Sequence, residues 1–134
     1  MENTKNEYNG FRDLFVYQKS YRLAIDTFHL SKTYPKDEKF ALIDQMRRAS
    51  RSIPTNIAEA WARRRYPKSF VNKLIDSHGE EMEMEVWINM SLDFGYINQE
   101  THDQLLARLI EISKMLTSME NNPEKFCHPP NITP

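Results

Sequence analysis

Pro54 stands in the middle of a stretch that otherwise reads as one long helix, and that conflict limits what the chain can become. Leu42, Met46, Ala49, Ile53, Ile57 and Ala60 recur at helical spacing and form one apolar stripe. Arg48, Ser52, Asn56, Glu59 and Arg63 run beside it as a polar stripe. A helix built this way faces two neighbours at once. Pro54 has no amide hydrogen, so a carbonyl near Ser50 loses its partner. Ile53, preceding it, is pushed away from helical dihedrals. The outcomes are a kinked continuous helix, or two helices meeting at Pro54. The apolar stripe keeps its phase across the proline, so the kinked helix is expected, with Ser50 or Ser52 serving the freed carbonyl.

Three more helices surround this one in the chain. The first is expected from Asp13, as N-cap, to Thr33, burying Leu14, Tyr17, Tyr21, Ala24, Ile25 and Phe28. Tyr34-Pro35 ends it. The Pro54 helix then runs from Asp37, as cap, to about Arg64, and Tyr66-Pro67 breaks it. The third helix spans Pro67 to about Phe94. It carries two adjacent apolar lines, one through Phe70, Leu74, Met84 and Ile88, the other through Val71, Ile75, Met82 and Val86. Gly79 lies mid-helix, where it costs about 1 kcal/mol against alanine, so another helix is expected to approach it closely. Phe94-Gly95-Tyr96-Ile97 is a helix stop with Gly95 in the left-handed position. Asn98 caps the fourth helix, whose stripe is Leu105, Leu109, Ile112, Met115, Leu116 and Met119. Asn121-Asn122-Pro123 ends it.

The fold class that follows is all-α: an antiparallel up-down-up-down four-helix bundle over residues 11–120. A flexible N-terminus, 1–10, and an extended Pro-rich tail, 121–134, flank it. A chain of 134 residues is one domain by length, and only three glycines and no alternating β-branched run argue against a sheet. The single Cys127 has no internal disulfide partner, which suits a reducing compartment. The sequence has no signal-peptide apolar region and no bilayer-spanning apolar run, so a cytoplasmic location away from the membrane is expected.

The net charge of −1 hides a segregation of signs. Arg47, Arg48, Arg51, Arg63, Arg64, Arg65, Lys68 and Lys73 lie in one block against Glu59 alone. Asp76, Glu80, Glu81, Glu83, Glu85 and Asp93 follow with no base among them. Arg63-Arg64-Arg65 and Lys68, beside Trp61 and Tyr66, are placed to hold phosphate and stack on a base, with Arg47 and Arg51 as further contacts. The plainer reading is a solvated helix end whose cations suit the C-terminal dipole. The acidic run is either a solvated face or a surface that meets the basic block of another copy.

Chemistry finds little support in the residues. His78-x-x-Glu81, with Glu85 below, reverses the Glu-x-x-His order of di-iron bundles, and His29 and His102 lie outside any comparable motif. No Gly-rich phosphate loop, nucleophile elbow or Cys/His metal spacing occurs. No catalytic residue, metal or cofactor is expected.

Phe11-Arg-Asp-Leu14, Gln45-Met-Arg-Arg-Ala49, Ser52-Ile-Pro-Thr-Asn-Ile-Ala-Glu59 and Gly95-Tyr-Ile97 resemble the four-helix-bundle proteins of the 23S rRNA intervening-sequence family over roughly residues 11–120. Where the family pattern continues with glycine, this chain has Ala60 followed by Trp61. The resemblance implies a four-helix bundle, a homopentamer, and no enzyme activity. It also implies a link to the accessory variability determinant proteins of diversity-generating retroelements, which bind nucleic acid and a reverse transcriptase. Carried onto this chain, the motif residues Arg48, Ser52, Pro54, Asn56 and Glu59 are expected in a polar network within or between subunits. Arg48 would meet Glu83, and Glu59 would hold Arg63. The resulting expectation is a non-enzymatic oligomer that binds RNA or DNA, or adapts a nucleic-acid enzyme. The alternative is a scaffold whose charged faces serve only self-assembly.

Overall fold

A computed structural model describes residues 8–128, and within them every regular element is helical. The helices are α1 (Phe15–Ser31), α2 (Leu42–Ala62), α3 (Pro67–Asp93) and α4 (Gln99–Asn121). Each packs on its neighbours in chain order, α1 on α2, α2 on α3, α3 on α4, and α4 closes back on α1. The backbones of the diagonal pairs stay apart, so the four form the corners of one bundle around a shared core. None of these helices is long and apolar enough to cross a membrane.

α2 runs unbroken through Pro54. Its predicted apolar stripe is the centre of the molecule: Met46, Ala49, Ile53, Ile57 and Ala60 are all essentially inaccessible to solvent. The two serines do not serve the carbonyl of Ser50. Ser50 Oγ donates to the Arg47 carbonyl at 3.2 Å and Ser52 Oγ to that of Arg48 at 2.8 Å. Thr55 and Asn56 bond back in the same way to Arg51 and Ser52. Beside the proline, Ser77 Oγ of the neighbouring helix donates to the Ile53 carbonyl at 2.8 Å inside the α2/α3 contact, a bond across helices that leaves the Ser50 carbonyl as it was.

The helix ends follow local chemistry. Gly95 has φ +81°, and a Schellman pair closes α3: Tyr96 N–H donates to Ser91 O and Gly95 N–H to Leu92 O. Asn98 Oδ1 caps α4 by accepting from Thr101 N at 2.8 Å. The first two caps differ from expectation. Phe11–Asp13 forms a 3-10 turn, and Asp13 accepts from Asn9 N instead of capping α1, which starts after Leu14. Lys36–Glu38 is likewise a 3-10 turn, so α2 starts at Leu42 and Asp37 is no cap. Glu38 instead accepts from the Tyr96 hydroxyl at 2.7 Å, tying this connection to the end of α3.

Two apolar faces lie elsewhere than their periodicity suggests. α1 buries Val16, Ser20, Leu23, Thr27 and Ser31. Ser20 and Ser31 bond to their own helix carbonyls, so they occupy the core face at little cost, whereas the buried Thr27 hydroxyl has no partner among the described residues. Tyr17, Tyr21, Ala24, Ile25 and Phe28 are displaced to a partly exposed flank beside α2. On α3 the line Phe70, Leu74, Met84 and Ile88 is buried, but Ile75, Met82 and Val86 face solvent and Val71 is half-buried. The flanks of α3 toward α2 and α4 are taken by charged and polar pairs, which leaves the second line on the outside. Gly79 lies on that outside too, and no atom approaches within 4 Å of where its Cβ would be.

The chain after α4 is not a loose tail up to its last described residue. Pro123–Lys125 turns back in a 3-10 turn, and Phe126 and Cys127 are buried. Phe126 stacks between Phe70 and Tyr8, so apolar contact holds both ends of the described chain to the bundle. Residues 1–7 and 129–134, the rest of the two predicted flanking segments, lie outside the described residues.

Ile53→Ala is expected to cost about 2–5 kcal/mol, as a fully buried branched chain beside the proline. Ser77→Ala should cost about 1 kcal/mol through its lost bond to the Ile53 carbonyl. Urea unfolding checks both, and a Ser77 variant as stable as wild type would remove that bond from the account.

Candidate nucleic-acid interface

The C-terminal end of α2 and the start of α3 bring four of the predicted cations together. Arg63 is the C-cap of α2 and donates to Ser69 Oγ at 3.2 Å. Arg64 turns inward: its guanidinium lies 3.6 Å from the centroid of the Trp61 ring and its Nε donates to the Trp61 carbonyl. Burial lowers its pKa from the ordinary arginine value, with Cys127 pulling the other way. The Arg64 carbonyl accepts from His128 N, so this residue also anchors the end of the described chain. Arg65, Tyr66 and Lys68 stand exposed beside it. Among the described residues no carboxylate forms an ion pair with Arg63, Arg65 or Lys68.

α3 begins in the same place with Pro67 at its first position and no side chain capping its amides. A helix N-terminus carries a partial positive charge. Three exposed cations and an uncapped helix start therefore give this end of the bundle a positive field suited to an oxyanion.

Arg47 and Arg51 do not join this cluster. They lie twelve to sixteen positions earlier on α2, roughly 18–24 Å away along the helix axis. Both face α1. Arg47 donates to Ser31 Oγ at 2.8 Å and lies over the Phe28 ring, while Arg51 lines the groove between α1 and α2.

The polar stripe of α2 faces α3. Arg48 reaches Glu83 at 2.6 Å and Glu80 at 3.3 Å, and these two carboxylates raise its pKa, Glu83 more than Glu80. Glu83 also accepts from Trp87 Nε1. Ser52 and Asn56 bond only within α2. Glu59 makes no ion pair with Arg63, whose charge acts on it only from a distance, as the smallest of the causes that lower its pKa. Lys73 takes it at 2.7 Å and also meets Asp76, and the bond and charge of Lys73 lower the Glu59 pKa. Lys73 wins because it rises from the facing helix directly toward α2. The abutting basic and acidic blocks signalled the Arg48 pairs with Glu80 and Glu83, but Glu59 and Lys73 both lie within the basic block, so only the turn at 63–66 brings those two together.

A second cluster lies between α3 and α4, and the sequence exposed only its His78 and Glu81. His78 Nδ1 is 2.8 Å from Glu120 Oε2, and His78 Nε2 is 2.7 Å from Ser113 Oγ. The connectivity is that of a serine–histidine–acid relay. Ser113 sits in the interior of α4, however, where its own and the following backbone amides are committed to the helix and cannot serve as oxyanion donors. Glu81 is fully buried beside this cluster, 3.8 Å from His78, and neither carboxylate oxygen has a hydrogen-bond partner. Burial first, and the adjacent Glu85 second, push its pKa up to about 9. No group of three or more metal-ligating side chains is found among the described residues.

The family model described as 23S rRNA-intervening sequence protein matches residues 12–118. A crystal structure of a protein of unknown function from the S23 ribosomal protein family of Bacteroides thetaiotaomicron is similar to this chain, at 30% identity and a TM-score of 0.71. The match covers 78% of this chain and 97% of that one. No curated protein matches the sequence.

Glu59 is half-exposed, so its pairing with Lys73 is a surface ion pair. Glu59→Gln should cost about 0–1 kcal/mol, less than a buried charge would. Glu81 behaves differently. In the unfolded chain it ionises near the ordinary carboxylate value, whereas the fold keeps its proton up to about 9. Between those limits the folded state holds a proton that the unfolded state has released, so stability falls as pH rises. Melting temperatures measured across this window should decline less for Glu81→Gln than for wild type, and the variant should be the more stable above neutrality. Equal slopes would contradict a protonated Glu81.

Proposed function

The chain belongs to the 23S rRNA-intervening sequence protein family, and on that footing we propose that it is a non-enzymatic, self-associating protein that binds the phosphate backbone of nucleic acid through Arg63, Arg65 and Lys68. The observation that carries this reading is the contrast between cations. Arg48 and Lys73 are neutralised by acids of α3, while Arg63, Arg65 and Lys68 have no ion pair and stand beside an uncapped helix start. Tyr66, exposed among them, offers a ring for a base. Arg64 belongs to the scaffold of the patch, since it packs on Trp61. The Ser113–His78–Glu120 cluster is read as structural, because a serine whose neighbouring backbone amides are committed to a helix is a poor acyl-transfer site.

The homopentamer, and the adaptor role toward a nucleic-acid enzyme such as a reverse transcriptase, rest on the family resemblance. The rival reading, in which both charged faces serve only self-assembly, loses Arg48 and Lys73 to ion pairs within the chain. Arg48 meets Glu80 and Glu83, and Lys73 meets Asp76, all of them in the acidic block.

The reading predicts binding to RNA or DNA that weakens with salt. About three phosphate contacts give a log–log slope near −2 to −3. Mobility shifts at low salt should show a complex with wild type. Arg63→Ala/Arg65→Ala/Lys68→Ala should lose most of it while Arg47→Ala retains it. No complex at low salt, or a triple variant that binds as well as wild type, would overturn the proposal.

A further inference from the structure

The outer face of α3 carries an apolar stripe that nothing in the described chain covers. Ile75, Met82, Val86, Met90 and Phe94 follow one another at near-helical spacing, each 40–56% exposed. They lie opposite the buried Leu74, Met84 and Ile88. A run of this length on one helix exceeds the scattered apolar residues that a monomer ordinarily exposes. Gly79 sits within it, costing helix stability with no neighbour inside the chain to compensate.

The α1/α2 side of the bundle carries an apolar groove. Tyr17, Tyr21, Ile25 and Phe28 of α1 and Pro54 and Ala58 of α2 line an open groove of about 480 Å³. Its charges also match. Arg12 stacks on Phe11 at one end, Arg47 lies over Phe28, and Arg51 lines the wall, and none of the three forms an ion pair among the described residues. On the ridge helix, acids outnumber the bases that meet them: Asp76, Glu80 and Glu83 share Arg48 and Lys73, and Asp93 has neither. An apolar ridge with an acidic surround thus faces away from a chain whose aromatic groove has a basic one.

We propose that the α3 ridge of one copy seats in the α1/α2 groove of a second copy, so that the chains join head to tail through two different surfaces. Ridge-into-groove packing of helices is the ordinary way such faces are covered. Gly79 then permits the close backbone approach that it lacks within its own chain. Arg47 and Arg51 serve the joint, not the phosphate site. The proposal rests on the self-association included above and is independent of nucleic-acid binding.

Because the joint is heterologous, it has a signature that a two-fold contact lacks. Val86→Glu spoils the ridge and Ile25→Glu spoils the groove, both at exposed positions. Circular dichroism checks that each variant keeps its helices. By sedimentation velocity, wild type should be an oligomer and each variant a monomer. An equal mixture should give a dimer and nothing larger, since one intact ridge meets one intact groove. A wild-type monomer would overturn both self-association and the joint. An oligomer that survives either variant, or variants that stay apart when mixed, would overturn the joint and leave self-association standing. Arg63→Glu/Arg65→Glu should leave the oligomer intact while losing RNA binding, and an oligomer dissolved by that change would overturn the joint in favour of an ionic contact.

Discussion

The contact between α2 and α3 is the constraint on which the rest depends. Ala49, Ile53, Ile57 and Ala60 on one side, and Phe70, Leu74, Met84 and Ile88 on the other, are sealed from water. Along the rim of this contact Arg48 meets Glu80 and Glu83, and Lys73 meets Glu59. The apolar part supplies the stability, because exposed ion pairs contribute little. The ionic part favours one pairing of helices. It also determines which cations remain for other work, since a guanidinium held by two carboxylates is a poor phosphate ligand.

Pro54 lies inside this contact, where a proline would be expected to divide the helix. The helix continues because both its halves bury the same stripe, and Ser77 of α3 adds a bond to the carbonyl of Ile53, next to the proline. Tertiary packing thereby overrides a local preference that costs about 3 kcal/mol in an isolated helix. The arginine cluster at 63–65 depends on that continuity, for the end of α2 is placed by its whole length.

Much of the fold was legible in the residues, and the failures have physical causes. Gly95 and Asn98 announced the α3–α4 turn through their own backbone and side-chain chemistry, which no distant contact had to supply. The stripe of α2 was legible because its small and branched residues leave one consistent face. α1 misled because its buried face carries Ser20, Thr27 and Ser31, whereas its largest apolar residues lie on the flank. α3 misled because it has more apolar surface than one bundle can cover. At the candidate site, Arg63, Arg64, Arg65 and Lys68 are neighbours in sequence and so neighbours in space. Arg47 and Arg51 belong to another side of the helix, and the Lys73 partner of Glu59 required knowing how the turn folds. The buried group around His78 was hidden because Ser113 and Glu120 come from a different helix and no local pattern marks them.

α2 behaves as a single rod through Pro54, fastened to α3 along its whole length. Native-state hydrogen exchange of the backbone amides measures this most directly. Amides on the α3-facing side after the proline, from Ile57 to Ala60, should exchange only with global unfolding, at the same free energy as those of Met46 and Ala49. Exchange of the segment after Pro54 as a separate, less protected unit would contradict the claim.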